Sequence, residues 1–550
     1  MKSDRHPSDP TLGIFLHSIF PLPGFNQRDM GFSGWKGLID HFLALGYNAC
    51  ATNFLPQVRV PDPDWTLPEA RRLYHSLLRP RPAFQAGDVY DESDPLLCTP
   101  EAKRRQEIRQ QTFRYAAEVG LAPHMLLSIA LGSPTLARNR PDLLAPHAGD
   151  FCNEGYVFAH DHPEAVDHLL AFWGRVVDAY PEAAGYILWH ADPGVGDAQK
   201  ILDHPGPFAD FLCRFCDMLR AKRPDARITL PGWGLHDDIV EAISNAIPDD
   251  VVITEPPLIH SRSRTSEMHT VRIRHWQKSG RRVEQWLEVQ ENPTIMLPAC
   301  YPRRIDAAIR QAHEVGVSSI WVASSFYTYV FTPHFRLVAE RFRDRDGELQ
   351  EILDAFFRES LGESCVNDAR TWTESMEAVW TGFYTRSQVE AGFNWPWHMV
   401  FAGGVLPVKL MQQPISDALR QDIESTVEAA KSALDAAGRI AEESSIRHPL
   451  ETNVLLVSTE LLYQRAQFRQ AKLPVLEAIR DSDLPGAVES FSPLSRLAQL
   501  MTETAACAPN TQVLNTHWTT LERLPEKLDA VKRHLPDLVE RRTIHGVFEL

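Results

Sequence analysis

Between Leu12 and Gly362 short apolar runs alternate with longer amphipathic ones, and that rhythm leaves few folds open. GIFLH (13–17), YNACAT (47–52), HMLLSIA (124–130), GYILWH (185–190), ARITL (226–230), VVITE (251–255), VEQWLE (283–288) and SSIWVA (318–323) read as strands. WKGLIDHFLALG, EAVDHLLAFWGRVVDAY, DDIVEAISNAI and RIDAAIRQAHEVG, which lie between them, carry apolar residues at helical spacing. Strands that alternate with helices pair in parallel through right-handed crossovers. Eight such units predict an α/β chain folded as a (β/α)8 TIM barrel. A doubly wound open sheet would favour a glycine-rich turn after its first strand, and HSIFPLPGFNQ holds no G-x-G-x-x-G.

Connection lengths orient the barrel. Stretches after the second strand (53–99) and after the third (131–162) are long, whereas the helix-to-strand turns at LGY (45–47) and VGVSS (315–319) are short. Long βα loops mark the carboxyl ends of the strands as the working face. Beyond Gly362 the strand signals fade. Ile423, Val427, Ala430, Leu434 and Ala437 form a helical stripe, and NVLLVSTELLYQRAQF reads as a second long helix. The expected organisation is a catalytic barrel over 1–362 and an all-α C-terminal domain over 363–550, the latter being the place for packing or self-association.

Composition narrows the partners. With 56 Lys and Arg against 72 Asp and Glu, the formal charge is −16, a poor match for a phosphate backbone, so no nucleic-acid partner is expected. No apolar run reaches membrane-spanning length, and Met1–Pro10 is polar and carries no signal-like apolar core. A cytoplasmic, membrane-free protein is the expectation. Cys213 and Cys216 share an apolar helical stretch and read as core thiols, not metal ligands.

Polar residues at strand ends face a barrel's active site. The strand ends here supply His17, Asn53, Trp189, His190, Asp192, Trp233, Glu255, Trp286, Glu288, Tyr327 and Tyr329. Carboxylates and indoles dominate, the residue types that attack or protonate at an anomeric centre and stack on sugar rings. Asp192 and Glu288 are the leading catalytic pair, roughly across the barrel mouth, with Glu255 third; the others are candidate substrate contacts. Each carboxylate also has a plainer reading. Asp192 could start the turn before Pro193, Glu288 could pair with an arginine, and Glu255 could anchor the Pro256-Pro257 bend. The tempting His160-Asp161-His162 precedes Pro163 and Glu164 and reads as an acidic helix cap, not a metal site. No metal and no cofactor is expected.

RPDLLAPHAGDFCNEGYVFAHDHPEAVDHLLAFWGRVVDAYPEAAGYILWHADPG resembles the third-to-fourth-strand region of family 20 glycoside hydrolases and their distant barrel relatives, β-N-acetylhexosaminidases and α-glucuronidase-like proteins among them. FTPHFRLVAERFRDRDGELQEILDAFFRESLGE is similar to their post-barrel helices. WLEVQENP looks like a seventh-strand segment, which implies a functional place for Glu288. Family 20 carries an adjacent Asp-Glu pair where this chain has Asp192-Pro193, and a first-strand arginine where it has His17. The resemblance implies an exo-acting glycoside hydrolase for a terminal sugar, nearest to β-N-acetylhexosaminides. The alternatives are an α-glucuronidase-like or other exo-glycosidase, with Arg262 or Arg264 meeting a uronate, and an inactive carbohydrate-binding barrel.

Overall fold

The structure is a computed structural model. It describes residues 10–16, 31–54, 89–145, 157–190, 203–232, 243–244, 246–255, 266–290, 300–324, 333–383, 385, 387–388, 391, 408–444, 449–507 and 524–541. Eight strands close in chain order into a parallel barrel: β1 (Leu12–Leu16), β2 (Ala49–Phe54), β3 (Ala122–Ser128), β4 (Gly185–Trp189), β5 (Arg227–Pro231), β6 (Val252–Glu255), β7 (Val283–Gln290) and β8 (Ile320–Ser324). Each lies within a few residues of a run marked in the sequence. β8 pairs with β1, as Trp321 with Gly13 and Ala323 with Phe15, and this pairing closes the cylinder.

Helices α1 (Phe32–Leu45), α2 (Pro100–Glu118), α3 (Pro163–Asp178), α4 (Pro205–Lys222), α5 (Ser266–Lys278), α6 (Pro302–Glu314) and α7 (Pro333–Arg343) follow strands in the barrel part of the chain. α1 shows why they form: Trp35, Leu38, Ile39 and Phe42 recur at 3, 1 and 3 residues and are all buried. Each such side chain contributes about 2 kcal/mol on burial. The helix stops at Gly46, whose φ of 94° only glycine adopts readily, and the Tyr47 amide returns to the Phe42 carbonyl at 3.0 Å. α3 departs from the expected acidic cap. Its N-cap is His162 without a side-chain cap, Pro163 opens the first turn, and Glu164 in that turn is held by Arg140. Cys216 on α4 is buried, as a core thiol should be, whereas Cys213, one helical turn earlier, is only half-buried and its thiol donates to the Ala246 carbonyl at 3.2 Å.

Three residue sets make the barrel's layers. Phe15, Ala49, Ala51, Leu126, Ile187, Trp189, Trp286, Trp321 and Ala323 fill its interior. Outward-facing residues pack under the helices in two further clusters. The second of these continues from β1 and α1 through α8 (Leu349–Leu361) and α9 (Val366–Phe383) into α10 (Asp417–Ser444) and α11 (Pro449–Arg480). Trp372 and Trp380 of α9 sit at that seam, fully buried. On α10 the stripe is real: Ile423, Ala430 and Ala437 are buried and Val427 is packed against the core. α12 (Leu484–Ala506), α13 (Leu524–Arg533) and α14 (Leu535–Arg541) complete a helical region with its own apolar cluster around Phe468, Leu476 and Phe491. Among the described residues no helix is long and apolar enough to cross a membrane.

Candidate active site

The helix-to-strand turns of the barrel are short, 46–48 before β2, 119–121 before β3 and 315–319 before β8, whereas 129–162 separates β3 from α3. The face at the carboxyl ends of the strands therefore carries the variable loops, where barrel enzymes place their chemistry. His17, Asp192, Trp233, Tyr327 and Tyr329 lie outside the described residues. For Glu288 only the backbone is described; it pairs with Ala323 of β8, and the register shifts between Glu288 and Gln290.

Alternation along each strand sorts the remaining candidates. Trp189 of β4 and Trp286 of β7 point inward and meet, with ring centroids 5.3 Å apart. Trp286 also stacks on Phe15 at 4.0 Å with planes 20° apart. That ring face is occupied, and the two indoles are only 5% and 4% exposed. They form packed floor, not the open sugar platform that their position at strand ends suggested. Asn53 shares the inward side of β2 with Ala49 and Ala51; it is buried, and its carbonyl accepts from Arg109 Nη1 at 2.7 Å.

Glu255 and His190 stand on the other side of the sheet. Ile253, two residues before Glu255, belongs to the layer under the helices with Ile273 and Trp276 of α5. The fully buried Glu255 carboxylate accepts from Trp276 Nε1 at 2.6 Å and pairs with Arg272 Nε at 3.1 Å. A buried carboxylate held by an indole N–H and a guanidinium braces strand to helix, and it faces away from the barrel interior. His190 likewise follows Tyr186 and Leu188 outward and lies edge-on to Phe208 of α4, centroids 6.1 Å apart. Strand-end position alone pointed to both residues, and strand parity corrects them.

Sequence reasoning passed over a second set of interior polar groups. Ser128 of β3, Thr229 of β5 and Thr254 of β6 are buried, and their hydroxyls have no hydrogen-bond partner among the described residues. Each lies two residues after Leu126, Arg227 or Val252, so strand alternation puts it on the same side of the sheet as that residue; the phase is in the sequence, but which phase faces inward is not. Deeper, at the amino ends of the strands, Arg227 forms an ion pair with Glu284, and Trp321 Nε1 donates to Glu284 Oε2 at 2.9 Å. His124 sets its ring edge-on to Trp321 at 5.0 Å. Burial and the Arg227 charge push its pKa down to about 3, so it is neutral. Among the described residues no group of three or more His, Cys, Asp or Glu could hold a metal ion.

No family model and no curated protein matches the chain in sequence. Solved structures match it in fold. An enzyme of glycoside hydrolase family 138 targeting pectin rhamnogalacturonan II superposes with a TM-score of 0.61 at 10% identity, over 99% of this chain and 69% of that one. The fold is the (β/α)8 barrel that this glycoside hydrolase also has. A family 89 glycoside hydrolase from Clostridium perfringens, in complex with its substrate GlcNAc-alpha-1,4-galactose, gives 0.55 at 8% identity, over 98% of this chain and 65% of that one. The same enzyme in complex with PUGNAc gives 0.52. The chain thus spans about two thirds of the length of these structures. A family 20 module of the pneumococcal exo-beta-D-N-acetylglucosaminidase StrH gives a TM-score of 0.36 at 10% identity, over 70% of this chain and 93% of that one.

Proposed function

We propose that this chain is an exo-acting glycoside hydrolase that removes a terminal N-acetylhexosamine, with Asp192 and Glu288 as its carboxyl pair. The observation that carries the reading is the meeting of Trp189 and Trp286 inside the barrel. Glu288 follows Trp286 by two residues within β7, and Asp192 comes three residues after Trp189, the last residue of β4, so each acid stands close in the chain to one of the two converging indoles. One carboxyl group would protonate the glycosidic oxygen while the other attacks the anomeric carbon or activates water; a spacing of about 5–5.5 Å would give retention and a wider one inversion. Asn53, Ser128, Thr229 and Thr254 are the interior polar groups suited to sugar hydroxyls. The N-acetylhexosamine choice draws on the family 89 complex, a variant with two glutamates changed to glutamine and bound to GlcNAc-alpha-1,4-galactose. That complex also brings α-linked GlcNAc alongside the β-linkage expected from sequence. The barrel of 1–362, the helical domain of 363–550 and self-association through the latter are proposals of the same kind.

A panel of 4-nitrophenyl glycosides tests the reading: β-GlcNAc, β-GalNAc, α-GlcNAc and α-glucuronide. Release of nitrophenolate from an N-acetylhexosaminide is expected. Release from the glucuronide alone favours an α-glucuronidase-like enzyme. Sugar binding without release from any of the four makes the chain a carbohydrate-binding barrel and overturns the proposal.

A further inference from the structure

His334 is a buried residue in the first turn of α7, yet its ring touches neither its own helix nor solvent through its nitrogens. Nδ1 lies 2.9 Å from the carbonyl oxygen of Val289, and Nε2 receives the Tyr301 amide at 3.0 Å. A carbonyl only accepts and an amide N–H only donates, so the ring must be the tautomer with its proton on Nδ1. Its pKa, pushed down to about 3 by burial, keeps it in that neutral form.

The two partners give the contact its meaning. Val289 sits between Glu288 and Gln290, where the β7–β8 register shifts. A bulge takes backbone groups out of the ladder and re-aims the side chains beside it. Tyr301 is the N-cap of α6, has no side-chain cap of its own, and lays its ring along the imidazole at 5.1 Å. One side chain from the β8–α7 unit thus ties together both ends of the connection between β7 and α6.

We propose that His334 is a positioning residue for Glu288: its imidazole clips the bulged end of β7 to the start of α6 and fixes where the backbone carries that carboxylate. The inference rests on the catalytic reading of Glu288. Because asparagine places an amide N–H near the position of Nδ1 while glutamine places its amide oxygen near that of Nε2, the two substitutions separate the two ends of the clip. His334→Asn keeps the donor to Val289, and His334→Gln keeps only the acceptor for Tyr301.

The test compares wild type, H334N, H334Q and E288Q on the 4-nitrophenyl panel, with melting temperatures taken in parallel. H334Q is expected to lose about a hundredfold in kcat with little change in KM, the size of effect that a misplaced reacting group produces. H334N is expected to recover most of that loss at a similar melting temperature. Equal kcat losses in both variants, or a loss confined to KM, reduce His334 to a packing residue and overturn the proposal alone. An E288Q variant with wild-type turnover, or a wild type inactive on the whole panel, overturns the catalytic reading and the positioning role with it. Hydrogen exchange on the wild type adds a check that requires no variant to fold. The Tyr301 amide should exchange slowly for an N-cap position, and fast exchange there removes the clip.

Discussion

The two ends of the barrel handle buried polarity in opposite ways. At the amino ends of the strands the polar groups are inside: Arg227 and Glu284 pair with one another, Trp321 closes over them, and His124 packs at the side. At the carboxyl ends several polar groups reach the strands from outside. Arg109 holds the Asn53 carbonyl, Trp173 Nε1 holds the Leu131 carbonyl at 2.9 Å, Arg272 and Trp276 hold Glu255, and His334 holds the Val289 carbonyl. Inward polarity at one end is neutralised by its own partners and serves stability. Bracing from the helix layer at the other end fixes the strand tips while leaving the interior surface there for chemistry. On the proposed reading, the contrast puts stability at one rim and chemistry at the other.

Substitutions at the two ends should therefore separate activity from stability. Glu288→Gln and Asp192→Asn are each expected to lower kcat about 10³-fold and to leave the melting temperature unchanged. A melting temperature that falls with activity would place these acids in the structural class. At the opposite end Glu284→Gln leaves the buried Arg227 charge without its carboxylate, and about 3 kcal/mol of unfolding free energy should be lost in a denaturant titration. Specific activity per folded molecule should hold. Gly13→Ala comes next. A Cβ at that position runs into the Trp321 indole, and overpacking of this kind costs about 2 kcal/mol. A neutral result would show that the base layer is looser than its contacts indicate.

The smallest expected effect concerns pH and engages both ends. His124 and His334 have pKa values of about 3 when folded, against 6.5 for an ordinary histidine. Below 6.5 the unfolded chain takes up protons that the folded one refuses. Their contribution is thus complete above pH 6.5 and declines as the pH falls toward 3. Between pH 7 and 5.5 each should remove about 1 kcal/mol of stability, and replacement of either by asparagine should flatten the melting curve's dependence on pH over that interval.

The barrel was legible because its strands are apolar runs of four to eight residues set between helical periods, a pattern that survives without any tertiary knowledge. Strand orientation was less legible, for a physical reason. Strands covered on both faces lose the polar–apolar alternation that would announce which side is in. Glu255 ends the all-buried β6 and His190 follows the all-buried β4, so both looked like pocket residues until their helix partners fixed the parity. Glu284 shares the alternation of Trp286 inside VEQWLE but lies toward the amino end of its strand, away from the face where a barrel's site residues are expected. Arg109, Trp173, Arg272 and His334 were out of reach in sequence. Each acts through a partner 17 to 56 residues away, and nothing local marks the pairing.

Glu284, Arg227 and Trp321 also act together as a stopper. The barrel above them is filled by Phe15, Trp189, Trp286 and Trp321, a packed core and not a pore. Nothing can pass through such a cylinder, so on the proposed reading a sugar meets the strand tips from one side alone, across the mouth above the Trp189–Trp286 floor.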